Sequence, residues 1–185
     1  ELQKHHLDDR NQIGRSLSMR DQTRVQRYKN KQDTATFLPV SLVTVEFQQN
    51  CNLGLLIRSA VCFGVKDVHV IGYIPPYAEL RSNSGSTVNF VNLKQHKTPS
   101  EFLFWRRKEA PDTDLLSLEI TDEAESIVGY QLERHSFLVL GNESTGVPTE
   151  ILHQSKVLYL PMNGVGYCLN VACAASAALY ELARK

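Results

Sequence analysis

Two glycine-bearing turns carry the sequence's most concentrated chemistry. Gly141-Asn142-Glu143-Ser144-Thr145-Gly146 follows the apolar run Ser136–Leu140, and Pro161-Met162-Asn163-Gly164-Val165-Gly166 follows Val157–Leu160. Turns of this kind at neighbouring strand ends can sandwich a flat heterocycle and bond it through main-chain groups, which is the chemistry of a cofactor pocket. A dinucleotide fold fits poorly. Gly164-x-Gly166-x-x-Leu169 lacks the third glycine, stands at the last strand–helix pair instead of the first, and has no acidic residue about 20 positions on. Gly141 and Gly146 are followed by Val147-Pro148 where a phosphate loop has Lys-Ser/Thr. Arg58 supplies a rigid fork of donors suited to a phosphate or carboxylate, with a plain surface arginine as the rival reading. Cys168 stands at a predicted helix start, where a thiol can become nucleophilic, yet no histidine is beside it in sequence.

These residues need strands to end beside one another. Pro161 stops the run Val157–Leu160 because proline has no ladder N–H. The residues from Leu169 to Ala183 then predict a helix with apolar and small residues on every face, Cys173 among its core positions, covered by more than its own sheet. Earlier, Leu42–Phe47 predicts a strand and Leu53–Phe63 a helix on which Leu55, Leu56, Ala60 and Phe63 share a face. Further strands are expected at 68–73, 88–93, 115–120 and 136–140, and helices at 99–108 and 122–131. Strands alternating with helices at this spacing imply an α/β fold, a mainly parallel sheet with helices on both faces. Ligands of such sheets bind beyond the carboxyl ends of the strands. Tyr73, Trp105 and Tyr130 are candidate base-stacking residues, with core packing the more common fate of such aromatics, and Arg81 is a candidate contact in a polar turn.

Composition sets outer bounds. The chain's 185 residues make one domain's worth of length, and 20 basic against 20 acidic residues leave no net field. The basic excess is local: residues 1–33 hold eight Lys/Arg against five Asp/Glu. That segment reads as a basic extension preceding a domain at 34–185, either gripping phosphates or simply solvated. Cys51, Cys62, Cys168 and Cys173 form no CxxC pair and no metal-ligand spacing with histidine, so neither zinc nor a disulfide framework is expected. They fit a reducing intracellular compartment, the cytoplasm before an organelle or the nucleus. No convincing membrane span appears, so a soluble protein is expected; because the sequence starts at Glu1, a trimmed targeting peptide stays open.

Three segments carry a resemblance. Pro161-Met162-x-Gly164-x-x-x-Cys168-Leu169-Asn170-Val171 resembles the third motif of the SpoU (TrmH-like) RNA ribose 2'-O-methyltransferases of the SPOUT superfamily, with Cys168 where the family usually has serine. Asn52-Leu53-Gly54-Leu55-Leu56-Ile57-Arg58-Ser59-Ala60 resembles its first motif, and Leu138-Val139-Leu140-Gly141-Asn142-Glu143-Ser144-Thr145-Gly146-Val147 its second, in the family's order. The resemblance spans roughly residues 40–183. It implies a C-terminal trefoil knot, which runs against the general rule that chains are not threaded. It also implies S-adenosylmethionine as cofactor, tRNA or rRNA as partner, and methyl transfer to a ribose 2'-hydroxyl by a homodimer joined through the C-terminal helix. Gly141, Leu160 and Leu169 would lie against the cofactor, with Met162 lining its pocket. Arg58 takes the key role, sometimes as the base itself; a guanidinium that stays protonated suits a phosphate clamp and charge stabiliser better. Asn52 would orient Arg58 or the substrate, and Asn170 would fix the helix entry. Glu143 would tie the motif loops or order the arginine, as a catalytic part or as a loop-stabilising carboxylate. A catalytically silent RNA-binding or regulatory relative is the alternative, and Cys168 is the feature that keeps it open.

Overall fold

The computed structural model describes residues 23–166 and 168–184. The N-terminal unit, residues 1–36, contains helix α1 (Arg24–Gln32), opened by a capping box in which Thr23 and Gln26 exchange bonds. Its Arg27, Lys29 and Lys31 are exposed. The rest of the expected basic extension, residues 1–22, with Lys4, Arg10, Arg15 and Arg20, lies outside the described residues.

The second unit, residues 37–185, is built on a parallel sheet. Its elements run β1 (Val40–Val45), α2 (Asn50–Cys62), β2 (Asp67–Ile71), α3 (Tyr77–Asn83), a 3-10 turn (Thr87–Phe90), β3 (Asn92–His96), α4 (Pro99–Glu109), β4 (Asp114–Leu118), β5 (Glu125–Ser126), β6 (Ser136–Leu140), α5 (Thr149–Leu152), β7 (Lys156–Tyr159) and α6 (Val171–Ala183). Among the described residues the sheet has seven strands in the order β3-β2-β1-β6-β4-β7-β5. Central β6 is buried at every position, as a strand covered on both faces must be. Side chains alternate between two cores. Leu42, Leu138 and Leu116 face α2 and α6, while Val43, Val139 and Leu115 face α4 and α5.

The apolar runs set these elements well, and most bounds shift from expectation by one to three residues. Four expectations fail outright. Residues 122–131 form no helix: the N–H of Ile127 bonds to Tyr159 O at 2.9 Å and its fully buried side chain joins the core, so pairing with β7 overrides the local pattern. The run 88–93 divides, because Ser84 Oγ accepts the Val88 N–H and pulls Thr87–Phe90 into the 3-10 turn, leaving the polar edge strand to start at Asn92. On α2, Leu55 is 43% exposed instead of sharing the face of Leu56 and Ala60. α6 is likewise one-sided in this chain, with Ala172, Ala175, Ala178, Leu179 and Leu182 buried, and Cys173, Ala177 and Tyr180 on its open face. Cys173 is therefore not core. No described helix is long and apolar enough to cross a membrane.

Candidate functional site

The site assembles where β4, β6 and β7 end. β6 runs straight into Gly141, where a Cβ would lie 2.5 Å from the Val147 nitrogen, so only glycine lets the turn fold back this tightly. Asn142 closes the turn: its N–H and C=O pair with Gly146 at 3.1 and 2.9 Å, and its Oδ1 accepts the Ser144 and Thr145 N–H groups. Its Nδ2 reaches out to the carbonyl of Glu46 at 2.6 Å. Gly146 takes the left-handed conformation at φ +66°. Glu119, one residue past β4, fixes the returning strand by accepting the Val147 N–H at 3.1 Å.

From the other side β7 delivers Leu160, Pro161 and Met162, and the chain returns to α6 through Cys168, Leu169 and Asn170. Asn170 caps α6, its Oδ1 accepting the N–H groups of Ala172 at 2.9 Å and Cys173 at 3.4 Å. Between the two turns lies a cavity of about 520 Å³. Leu118, Leu140, Leu160, Met162 and Leu169 give it an apolar wall, Glu119, Asn142, Glu143 and Asn170 a polar one, and Gly141 and Cys168 also line it.

A chain of side-chain hydrogen bonds ties the three motifs together. Asn52, 3% exposed, donates through Nδ2 to Glu143 Oε1 at 2.6 Å and accepts at Oδ1 from Asn170 Nδ2 at 3.0 Å. Glu143 also accepts the main-chain N–H of Gln48 at 2.9 Å and of Gln49 at 3.4 Å. The start of α2 carries no side-chain cap of its own, so this carboxylate sits at the positive end of the helix in place of one. Burial pushes the Glu143 carboxyl upward, but the N–H donors of Gln48, Glu143 itself and Gln49, with the Asn52 amide, outweigh it and hold the group below its ordinary value. It stays ionised and committed.

Asn52→Ala leaves Glu143 Oε1 and the Asn170 amide short of a partner, so a loss of roughly 2 kcal/mol is expected in urea unfolding. Asn52→Asp should cost more than Asn52→Ala, because it sets a second carboxylate against Glu143. Equal or reversed effects would remove Asn52 from its place as the link.

Gly141, Leu160, Met162, Leu169, Glu143 and Asn170 thus line one cavity, and Asn52 braces it from behind. Arg58 does not line it. The guanidinium stands exposed on α2, about 9 Å along the helix axis from Asn52 and on a different face. Glu119 and Asn142 are cavity residues that motif reading gave no role; the available signal was a carboxylate directly after a strand, in the same position as the two glycine turns. Cys168 lies ahead of the α6 cap, not on the helix start. Trp105 packs among His69, His96 and Phe137, and Tyr130 against the main core, so neither stands free for a base.

Known proteins match this arrangement. The model of the SpoU rRNA Methylase family matches residues 39–180. The tRNA (guanosine(18)-2'-O)-methyltransferase of Escherichia coli (strain K12) is 25% identical over 135 residues, 72% of this chain and 58% of that protein. The 23S rRNA (uridine(2479)-2'-O)-methyltransferase of Streptomyces viridochromogenes is 27% identical over 139 residues, 72% of this chain and 48% of that one. The chain therefore spans about half the length of these curated relatives. Among solved structures, the SpoU methyltransferase AviRb from Streptomyces viridochromogenes in complex with AdoMet superposes with a TM-score of 0.70 at 21% identity, covering 80% of this chain and 61% of that one. The A. aeolicus TrmH/SpoU tRNA modifying enzyme gives 0.71 at 19% identity, covering 85% and 81%. With 142 consecutive residues matched and the three motifs joined by the Asn52–Glu143–Asn170 hydrogen bonds, the chain belongs to the SpoU rRNA Methylase family.

Proposed function

We propose that this chain transfers a methyl group from S-adenosylmethionine to a ribose 2'-hydroxyl of a tRNA or rRNA, working as a homodimer. The observation that carries the reading is the cavity at the carboxyl ends of β4, β6 and β7, braced from behind by the Asn52–Glu143–Asn170 chain. The residues fit the cofactor. A volume of about 520 Å³ lies within the ~300–1,000 Å³ of small-molecule sites, one wall is apolar enough for an adenine, and Gly141 leaves main-chain groups uncovered beside it. When bound, S-adenosylmethionine supplies a sulfonium methyl as the electrophile. Leu160, Met162 and Leu169 would hold the flat ring, and Gly141 and its neighbours would bond its edge.

Methyl transfer to a hydroxyl needs in-line placement and somewhere for the proton to go. Glu143 is a poor base because its carboxylate is occupied by four donors and held below its ordinary pKa, which favours the structural reading of that residue. Arg58 binds the nucleotide's phosphate and stabilises charge growing on the attacking oxygen, and a phosphate oxygen takes the proton. Since Arg58 does not line its own chain's cavity, it serves the cavity of the second copy. On the open face of α6 Tyr180 is 61% exposed and meets Phe63 at the end of α2 with ring centroids 6.4 Å apart, and the two helices are also joined through Ser59 and Ser176 at 2.7 Å. That face is the dimer contact in this reading.

A knotted C-terminus is part of the proposal. β7 pairs with β4 on one side and β5 on the other, so the link 119–124 between those strands crosses the end of β7 before α6 begins. Residues 1–33 add basic contacts to RNA through side chains such as Arg27, Lys29 and Lys31. The four free cysteines suit a reducing compartment.

Cys168 in the cavity favours a second reading, a silent RNA-binding relative, because its thiol is a weaker donor than the usual serine hydroxyl. Titration calorimetry with S-adenosylmethionine separates the two. Binding to wild type and its loss in Gly141→Ala are expected, since the added Cβ drives the loop off Val147. Absence of heat from wild type leaves only the silent relative.

A further inference from the structure

We propose that Tyr73 and Tyr77 form a stacking platform for unpaired bases of the RNA strand entering the cavity, an inference that rests on the RNA-methylating reading of the site. β2 ends at Ile71, and the next residues turn across the same carboxyl edge of the sheet that carries the cavity. The turn is built to hold two rings outward. Ile74 packs on the core and Pro75 is buried, while Tyr73 on one side is 49% exposed and Tyr77 on the other 54%. Pro75 and Pro76 fix their own φ angles, so the segment between the rings is stiff.

Both residues are further tied down, Tyr73 through its main chain and Tyr77 through the hydroxyl at the tip of its ring. The Tyr73 N–H donates to Glu46 Oε2 at 3.0 Å, and Tyr77 Oη donates to Asn89 Oδ1 at 2.8 Å. Gly72 before them is tied to β3 at both ends of its peptide, its N–H to His96 O at 2.9 Å and its C=O to Gln95 Nε2 at 2.8 Å. Glu46 also gives its carbonyl to Asn142 Nδ2 at 2.6 Å, and Asn142 lines the cavity. One residue thus connects the platform to the wall of the site.

Tyr73 and Tyr77 thus leave about half of their surface in water at the carboxyl edge of the sheet, within five residues of one another. A nucleobase is the ligand whose faces match them, and stacking of this kind is tolerant of sequence. Bases inside a duplex hide those faces, so the strand engaged is single-stranded. Arg81, exposed one turn beyond Tyr77 on α3, faces the phosphates of the same strand.

The probe is a fluorescein-labelled single-stranded oligoadenylate, read by anisotropy, with an RNA duplex as comparison and S-adenosylmethionine calorimetry in parallel. Tyr73→Ala and Tyr77→Ala should each weaken oligoadenylate binding about tenfold, with cofactor affinity unchanged and duplex binding little affected. Tyr73→Phe should bind like wild type, because the ring and not the hydroxyl makes the contact. Unchanged cofactor heat shows that the Ala variants are folded. Wild-type oligoadenylate affinity in both Ala variants, an equal loss on duplex, or no binding by wild type overturns the platform. Where cofactor heat persists in any of these outcomes, the methyltransfer reading stands and only the platform falls.

Discussion

Arg58→Ala should lower methyl transfer about a thousandfold and leave the dissociation constant for S-adenosylmethionine unchanged. The size follows from removing a charged donor aimed at the oxygen that attacks the methyl group, by comparison with the about 10²–10³-fold effect of a single neutral donor in acyl-transfer sites. The indifference of cofactor binding follows from geometry. Arg58 is exposed on α2, lines no part of the cavity, and no hydrogen bond or ion pair engages its guanidinium among the described residues. Its loss disturbs neither glycine turn. A Kd that rises in step with the loss of rate would place Arg58 in cofactor binding and contradict the assignment.

The same variant tests whether two chains share a site. If the guanidinium acts across the dimer, an Arg58→Ala chain keeps a sound cavity that lacks its arginine, and a Gly141→Ala chain keeps the arginine but has a spoiled cavity. Each is inactive alone. Random exchange makes half of the dimers mixed, each with one complete site of two, so the mixture should recover about a quarter of wild-type activity. Recovery fails if Arg58 works within its own chain, since no mixed dimer then contains both parts. This result also tests the α6 face, because complementation needs chains that associate.

The sheet and the two glycine turns were legible because the residues that make them are local signals. Apolar runs ended by Gly141 and Pro161 mark strand ends whatever packs on them, and Ser136–Leu140 matches β6 residue for residue. The failures share a different cause, in that each depends on a partner distant in sequence. Residues 122–131 have helical spacing, yet Ile127 and β5 pair with β7 about thirty residues on. Leu55 and Cys173 look like core because apolarity does not say whether a helix face meets the sheet, solvent or another chain. The site divides in the same way. Glycines and the Asn170 cap announce themselves by backbone need, but the role of Asn52 as the link between Glu143 and Asn170 exists only once all three motifs have converged. The resemblance gives Arg58 the key role, yet within one chain Arg58 does not line the cavity.

Acidification should unfold this domain through a pair of histidines at the other end of the sheet, and His69 should set the range. On the α4 side of β2 and β3, His69 Nδ1 and His96 Nε2 share a proton at 2.9 Å, with the rings stacked at 5.2 Å and 8°. Phe102, Trp105 and Phe137 surround His69 at ring distances of 4.6–5.8 Å. One imidazole must donate and the other accept, so a second proton breaks the bond and leaves a charge in an aromatic box. Burial first, then the neighbouring His96 and Lys94, lower the pKa of His69 from 6.5 to about 4, with Asp67 opposing them. Burial and Lys94 lower His96 as well, against Glu101. Because the folded pKa lies below the unfolded one, the unfolded chain binds the proton first. Stability is complete above pH 6.5 and falls as pH drops toward 4, by roughly 3 kcal/mol for His69 at 1.36 kcal/mol per unit. Glu143, itself depressed, adds its loss at the acid end of that range, so the variant comparison is needed to isolate the histidine. Urea unfolding of wild type and His69→Leu across pH 6.5 to 4 should give a difference that shrinks steadily with acidification, since the variant has no such proton to take up. A constant difference would mean that His69 carries its charge in the fold without penalty, and the acid sensitivity would then belong to the carboxylates.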